Sequence, residues 1–141
     1  MSELDRWMAL RDSSLAHVRA ALGPGDAELV ADAGYGQMSG LTMLHAPGAD
    51  PAIFFFEDGR LAVLRVDDPP VDASELLARV GADAPRLRSA AGKHARVHVR
   101  AEDGLAFADE AGRIRYVEVF PPTTFDDYRD RIHQPPPKFV E

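Results

Sequence analysis

Apolar and polar positions alternate in two stretches that read as one phrase written twice. "AIFFFEDGRLAVLRVDDPP" (Ala52–Pro70) and "LAFADEAGRIRYVEVFPP" (Leu105–Pro122) each run strand, turn, strand and paired prolines. Gly59-Arg60 aligns with Gly112-Arg113, Leu61 with Ile114, Val63 with Tyr116, Leu64 with Val117 and Val66 with Val119. A one-residue slip then brings Pro69-Pro70 onto Pro121-Pro122. Asp58-Gly59 suits the centre of a tight turn, where glycine takes a positive φ without steric cost. A two-residue loop there pairs Glu57 with Arg60, Phe56 with Leu61 and Phe54 with Val63. Strict alternation returns in "HARVHVRAEDGLAF", with Ala95, Val97 and Val99 to one side and Arg96, His98 and Arg100 to the other. "LTMLHA" (Leu41–Ala46) is the matching strand of the first half.

Before each strand pair the period becomes helical. "SLAHVRAALGPGDAELV" lies over "DASELLARVGADAPRLR", with Ser14 over Asp72, Val18 over Leu76, Gly23 over Gly81 and Leu29 over Leu87. Asp72 with Glu75, and Thr124 with Asp127, approximate capping boxes after a proline stop. The pattern predicts a single α+β domain over 1–141, with internal repeats at about 13–70 and 72–122. A C-terminal helix at 124–133 and a Pro-rich tail at 134–141 follow. Each repeat reads as helix, Gly-ended corner, short second helix or turn, then antiparallel strands. The fold expected is a duplicated helix–turn–helix plus antiparallel strands, forming one sheet with helices on one face.

The segment "LLARVGADAPRLRSAAGKHARVHV" is similar to a helix–Gly–connector–strand pattern found in tandem in the β-lactamase inhibitor proteins and the BamE-like small domains. The resemblance is one of architecture and spans residues 13–122. It implies that the open concave side of the sheet grips a partner protein. The inhibitor family is secreted and disulfide-bearing, whereas this chain has no cysteine.

Composition narrows the classes. With 141 residues and 45% hydrophobic content the chain can build its own core. Lack of cysteine removes disulfides, thiolate metal sites and a cysteine nucleophile. "MSELDRWMAL" carries early acids and no long apolar run, and no segment approaches the ~18 apolar residues of a membrane span. A cytoplasmic, bacterial protein is expected. A net charge of −7 repels phosphate backbones at long range, which argues against nucleic acid.

The chemistry-bearing patterns point mostly away from catalysis. His94 and His98 stand four apart, but a strand separates such residues by roughly 13 Å, too far for one ion. Paired acids adjoin glycines, prolines or helix starts, where they form turns and caps. No nucleophile elbow occurs, and Gly34, Gly36 and Gly40 lack phosphate-loop spacing. No cofactor or metal is therefore expected.

Alternation through the hairpins puts Ile53, Phe55, Ala62, Leu64, Val66, Val117 and Val119 on a face beneath the helices. Phe54, Phe56, Leu61, Val63, Arg65, Ile114, Tyr116, Glu118 and Phe120 fall on the other, uncovered face. An extra stretch in the first repeat, "ADAGYGQMSG" (31–40), reads as a Gly-rich recognition loop. The function favoured is a non-enzymatic, acidic, inhibitor- or toxin-immunity-like protein that binds another protein through the open face and this loop. Its contact residues are Tyr35, Met38, Arg65, Arg96, His98, Tyr116 and Glu118, with neither nucleic acid nor membrane as partner and homodimerisation through the open face as an option. The alternative is a small-molecule-binding protein or small enzyme of bacterial metabolism. Its pocket would be lined by Phe54, Phe56 and Tyr116, with His98 as acid or base.

Overall fold

Two glycine turns set the strand plan of the computed structural model, which describes residues 2–23, 27–46, 48 and 50–135. At Asp58-Gly59 and at Ala111-Gly112 both central residues take positive φ (51° and 79°, 53° and 85°). These are the angles a two-residue hairpin loop needs to match strand twist. The first turn joins β3 (Ile53–Glu57) to β4 (Arg60–Asp67), and the second joins β7 (Leu105–Glu110) to β8 (Arg113–Val119).

Outside these hairpins lie β1 (Glu28–Tyr35) and β2 (Met38–His45) in the first half, and β5 (Arg86–Arg88) and β6 (Arg96–Arg100) in the second. All pairings are antiparallel, and the eight strands form one sheet in the order β1-β2-β3-β4-β8-β7-β6-β5. The order reads alike from either end. Each half is a four-strand meander preceded by a helix, α2 (Leu15–Leu22) or α3 (Ala73–Val80). The halves meet at β4–β8, where Arg65 pairs with Glu118, Leu64 with Val119 and Val66 with Val117. Under the alignment of the two hairpins, Arg65 and Glu118 are equivalent positions. They face each other across the junction of the two halves.

Of the short second helix or turn expected after each Gly-ended corner, the second half shows a turn at 82–84 leading into β5; in the first half residues 24–26 lie outside the described residues and β1 begins at Glu28. The supposed loop at 31–40 is the β1–β2 hairpin, turning between Tyr35 and Met38. A further helix, α1 (Glu3–Met8), has no counterpart in the sequence reading; Ser2 and Asp5 form its capping box.

Face assignment also differs, for one reason in both halves. The pairs Glu57–Arg60 and Phe56–Leu61 form as expected, but Phe55 then pairs with Val63 and Phe54 with Leu64, leaving Ala62 as an extra residue. In the second hairpin Asp109 pairs with Ile114 and Ala108 with Tyr116, leaving Arg115 extra. A bulge of one residue exchanges the faces beyond it. Phe54 and Phe56 therefore lie with Leu61, Leu64 and Val66 beneath the helices, while Phe55, Val63 and Arg65 turn to the other side.

The first face carries the larger core. Leu4, Trp7 and Met8 of α1, Val18 of α2, and Leu76 and Val80 of α3 pack on Phe54, Phe56, Leu64, Phe107 and Val117. Beneath α1, Asp50 is buried and accepts from Trp7 Nε1 (3.3 Å), Ala52 N (2.9 Å) and the Arg6 guanidinium. The second face is covered as well, so helices are not confined to one side. After Pro121-Pro122, Thr124 caps α4 (Phe125–Asp127), which continues as a π-helical turn over Tyr128–Ile132. Tyr128 and Ile132 bury against Tyr35, Leu41, Phe55, Val63, Tyr116 and Phe120. The uncovered sheet centre expected from the sequence is thus occupied by the chain's own C-terminal helix. Within the Pro-rich tail, residues 136–141, including Phe139 and Val140, lie outside the described residues. Among the described residues no helix is long and apolar enough to cross a membrane.

Candidate functional site

Four of the residues singled out from the sequence converge under the C-terminal helix. Tyr35 comes from the end of β1, Arg65 from β4, and Tyr116 and Glu118 from β8. Glu118 is wholly buried (0% exposed), and each of its carboxylate oxygens accepts a tyrosine hydroxyl, Oε2 from Tyr35 and Oε1 from Tyr128. Arg65 is the cross-strand neighbour of Glu118, yet its guanidinium lies over the Tyr116 ring, 3.9 Å from the centroid. From there it donates to Asp67 (2.9 Å) and, at 3.4 Å, to the Tyr35 hydroxyl. The Tyr116 hydroxyl lies 3.3 Å from Ser89 Oγ.

Burial sets the electrostatics here. Desolvation raises the Glu118 carboxyl above the ordinary carboxylate range, and the two tyrosine hydroxyls and Arg65 pull against that rise. Burial, reinforced by the Glu118 charge, pushes the phenols of Tyr35 and Tyr128 well above their ordinary value. Tyr116 is raised by the same two causes in the same order. Each buried polar side-chain atom of the cluster has a partner.

The helix is clasped from both ends of the sheet. Gly36, at φ +58°, sits where a Cβ would be 2.6 Å from the Arg131 carbonyl oxygen and would collide with that of Ile132. This close approach lets Gln37 N–H donate to Arg131 O at 2.9 Å. Met38, also buried, receives Arg131 Nη2 on its sulfur at 3.5 Å, and Arg131 reaches Glu57 at 2.9 Å. At the other end Ala90 N–H donates to Gln134 O (3.2 Å), beside the buried His133.

The remaining two candidates lie across the sheet. Arg96 and His98 project from β6 on the face of the larger core, beyond the helices. His98 stacks on Phe107 with ring centroids 4.6 Å apart. Burial lowers its pKa, with Asp109 pulling up from 3.8 Å and Arg86 pushing down. The set therefore splits: Tyr35, Met38, Arg65, Tyr116 and Glu118 belong to one assembly, Arg96 and His98 to another. Sequence reasoning missed Tyr128, Ser89 and Arg131. Tyr128 was within reach, because Phe125, Tyr128 and Ile132 recur at helical spacing after the Thr124 cap.

Comparison of the chain with protein-family models, with curated proteins and with solved structures found no match.

Proposed function

We propose that this chain is a non-enzymatic protein-binding module of the inhibitor or toxin-immunity kind, built from two copies of one helix-plus-meander unit. One observation carries the reading. The groups whose chemistry burial alters most, Glu118, Tyr35 and Tyr128, satisfy one another beneath a clasped helix and are sealed from solvent. They act as a latch that stiffens the sheet, and the surface around the sheet edges does the recognising. In this reading Tyr35, Met38, Tyr116 and Glu118 support the platform, while Arg96, with His98 beneath it, belongs to the contact surface. A cytoplasmic setting accords with the cysteine-free composition.

The test is affinity capture with the tagged full chain from a lysate of the encoding organism, followed by mass measurement of the complex. A stoichiometric complex with one protein is expected. A second reading rests on a cleft of about 200 Å³ between the β3–β4 turn and the C-terminal helix, lined by Met38, Leu61, Ala62, Pro121, Pro122 and Ile132. If a small metabolite raises the melting temperature and no protein is retained, that reading replaces the first.

A further inference from the structure

The edge formed by β5 and β6 carries an unusual arrangement of like charges. Arg86 pairs with His98, Leu87 with Val97 and Arg88 with Arg96. Val99 N–H donates to Pro85 O (3.0 Å) and Ser89 N–H to Ala95 O (3.3 Å). Those bonds fix the alternation of the ladder, so that 86/98 and 88/96 are the non-hydrogen-bonded pairs. In such pairs the side chains stand closest, with Cα atoms roughly 4.5 Å apart. Arg88 and Arg96 thus rise side by side, a juxtaposition that disfavours folding when left uncompensated.

Most arginines elsewhere find acids: Arg6 meets Asp50, Arg79 meets Asp5, Arg113 meets Asp68 and Arg115 meets Glu110, while Arg11 and Arg60 donate to backbone carbonyls and Arg19 makes no ion pair among the described residues. Arg86, Arg88 and Arg96 are exposed and reach no carboxylate among the described residues. Asp109, the cross-strand neighbour of Arg96, spends one oxygen on the turn, accepting Gly112 N–H at 2.9 Å, and turns the other to His98. An acidic chain of net charge −7 therefore keeps together on one edge three guanidinium groups that make no ion pair among the described residues.

From this we infer that the β5–β6 edge is the docking surface for an acidic face of the partner protein, an inference that rests on the protein-binding reading above. Carboxylates on that face supply the charge the arginine row lacks, in the bidentate geometry guanidinium groups favour. Recognition runs through side chains rather than an added strand, because Gln134 already takes the Ala90 N–H beside β5. Nucleic acid fits less well, since a row of three guanidinium groups answers a few carboxylates but falls short of the roughly 6–10 phosphate contacts that hold a duplex.

The deciding experiment measures binding of labelled poly-L-glutamate at low ionic strength to the wild type, to the R88S/R96S double variant and to R113S, with duplex DNA as a parallel probe. Wild type and R113S should bind poly-L-glutamate equally, and R88S/R96S at least tenfold more weakly, with a melting temperature equal to or above that of wild type. Equal binding by R88S/R96S, or tighter binding of DNA than of poly-L-glutamate, overturns the assignment. In the affinity capture, a protein held equally by wild type and R88S/R96S removes this surface but leaves the protein-binding reading. Capture of no protein, with poly-L-glutamate binding intact, removes that reading instead.

Discussion

Replacing Tyr128 with Phe isolates the latch at the centre of the molecule. The ring stays and its packing against Phe120 is kept (centroids 5.2 Å apart), but the hydroxyl that donates to Glu118 Oε1 is lost. Burial lifts the folded-state pKa of Glu118 above its unfolded value, so the folded protein holds that proton longer. The stability this group contributes is therefore fully present below the unfolded pKa and declines as pH rises through the folded pKa. The Tyr128 hydroxyl opposes this decline because it favours the charged carboxylate. In acid, where Glu118 is neutral, the substitution should cost about 1 kcal/mol, the ordinary worth of a neutral hydrogen bond. Once Glu118 is ionised, the lost bond is to a buried anion and the cost should rise to about 2–3 kcal/mol. For a chain of this size each kcal/mol lowers the melting temperature by roughly 3–5 °C. Urea denaturation of both proteins at about pH 3 and about pH 8, values either side of the ordinary carboxylate range of about 3.9–4.3, gives the two differences directly. A loss that is the same at both pH values would refute an ionised carboxylate held by Tyr128.

Three other substitutions test the fold around this latch. Gly36→Ala forces a left-handed backbone on a residue with a Cβ and drives that Cβ into the Arg131–Ile132 carbonyls; a loss of about 2 kcal/mol or more is expected, read as a lower urea midpoint with an unchanged slope. Ala111→Gly relieves the positive φ at the second hairpin turn (53°); a gain of up to about 1 kcal/mol in calorimetry is expected, offset in part by the added freedom of the unfolded chain. Asp50→Ala strands the Trp7 and Ala52 N–H groups in the core. It should cost about 2–4 kcal/mol, followed through the single tryptophan's fluorescence, and no change would mean that Asp50 does not anchor α1.

The two hairpins are legible because their landmarks are local. Gly59 and Gly112 each close a turn within a few residues, so the hairpins and their two innermost pairs follow from residue type alone. Thr124 likewise announces the C-terminal helix. The candidate cluster was half legible: Arg65, Tyr116 and Glu118 stood out as polar or aromatic positions on one face and Tyr35 as the aromatic of the supposed loop, and they do converge. Their role was misjudged because nothing local states that Tyr128 returns over them. The N-terminal helix was missed for a related reason: Trp7 and Leu4 are informative only once Phe54 and Phe56 are known to need a cover.

Residue chemistry and spacing along the chain determined the α+β class, the paired hairpins, the caps at Ser14 and Thr124 (Asp72 heads α3 without a side-chain cap bond) and the surplus of negative charge. Tertiary structure decided which face each hairpin turned to the helices, because a single bulged residue, Ala62 or Arg115, reverses the alternation and is selected by packing on both sides at once. It also decided that Glu118 is sealed rather than exposed and that Arg88 stands beside Arg96. Those contacts join residues distant in sequence, and their energies exist only after the chain has closed on itself.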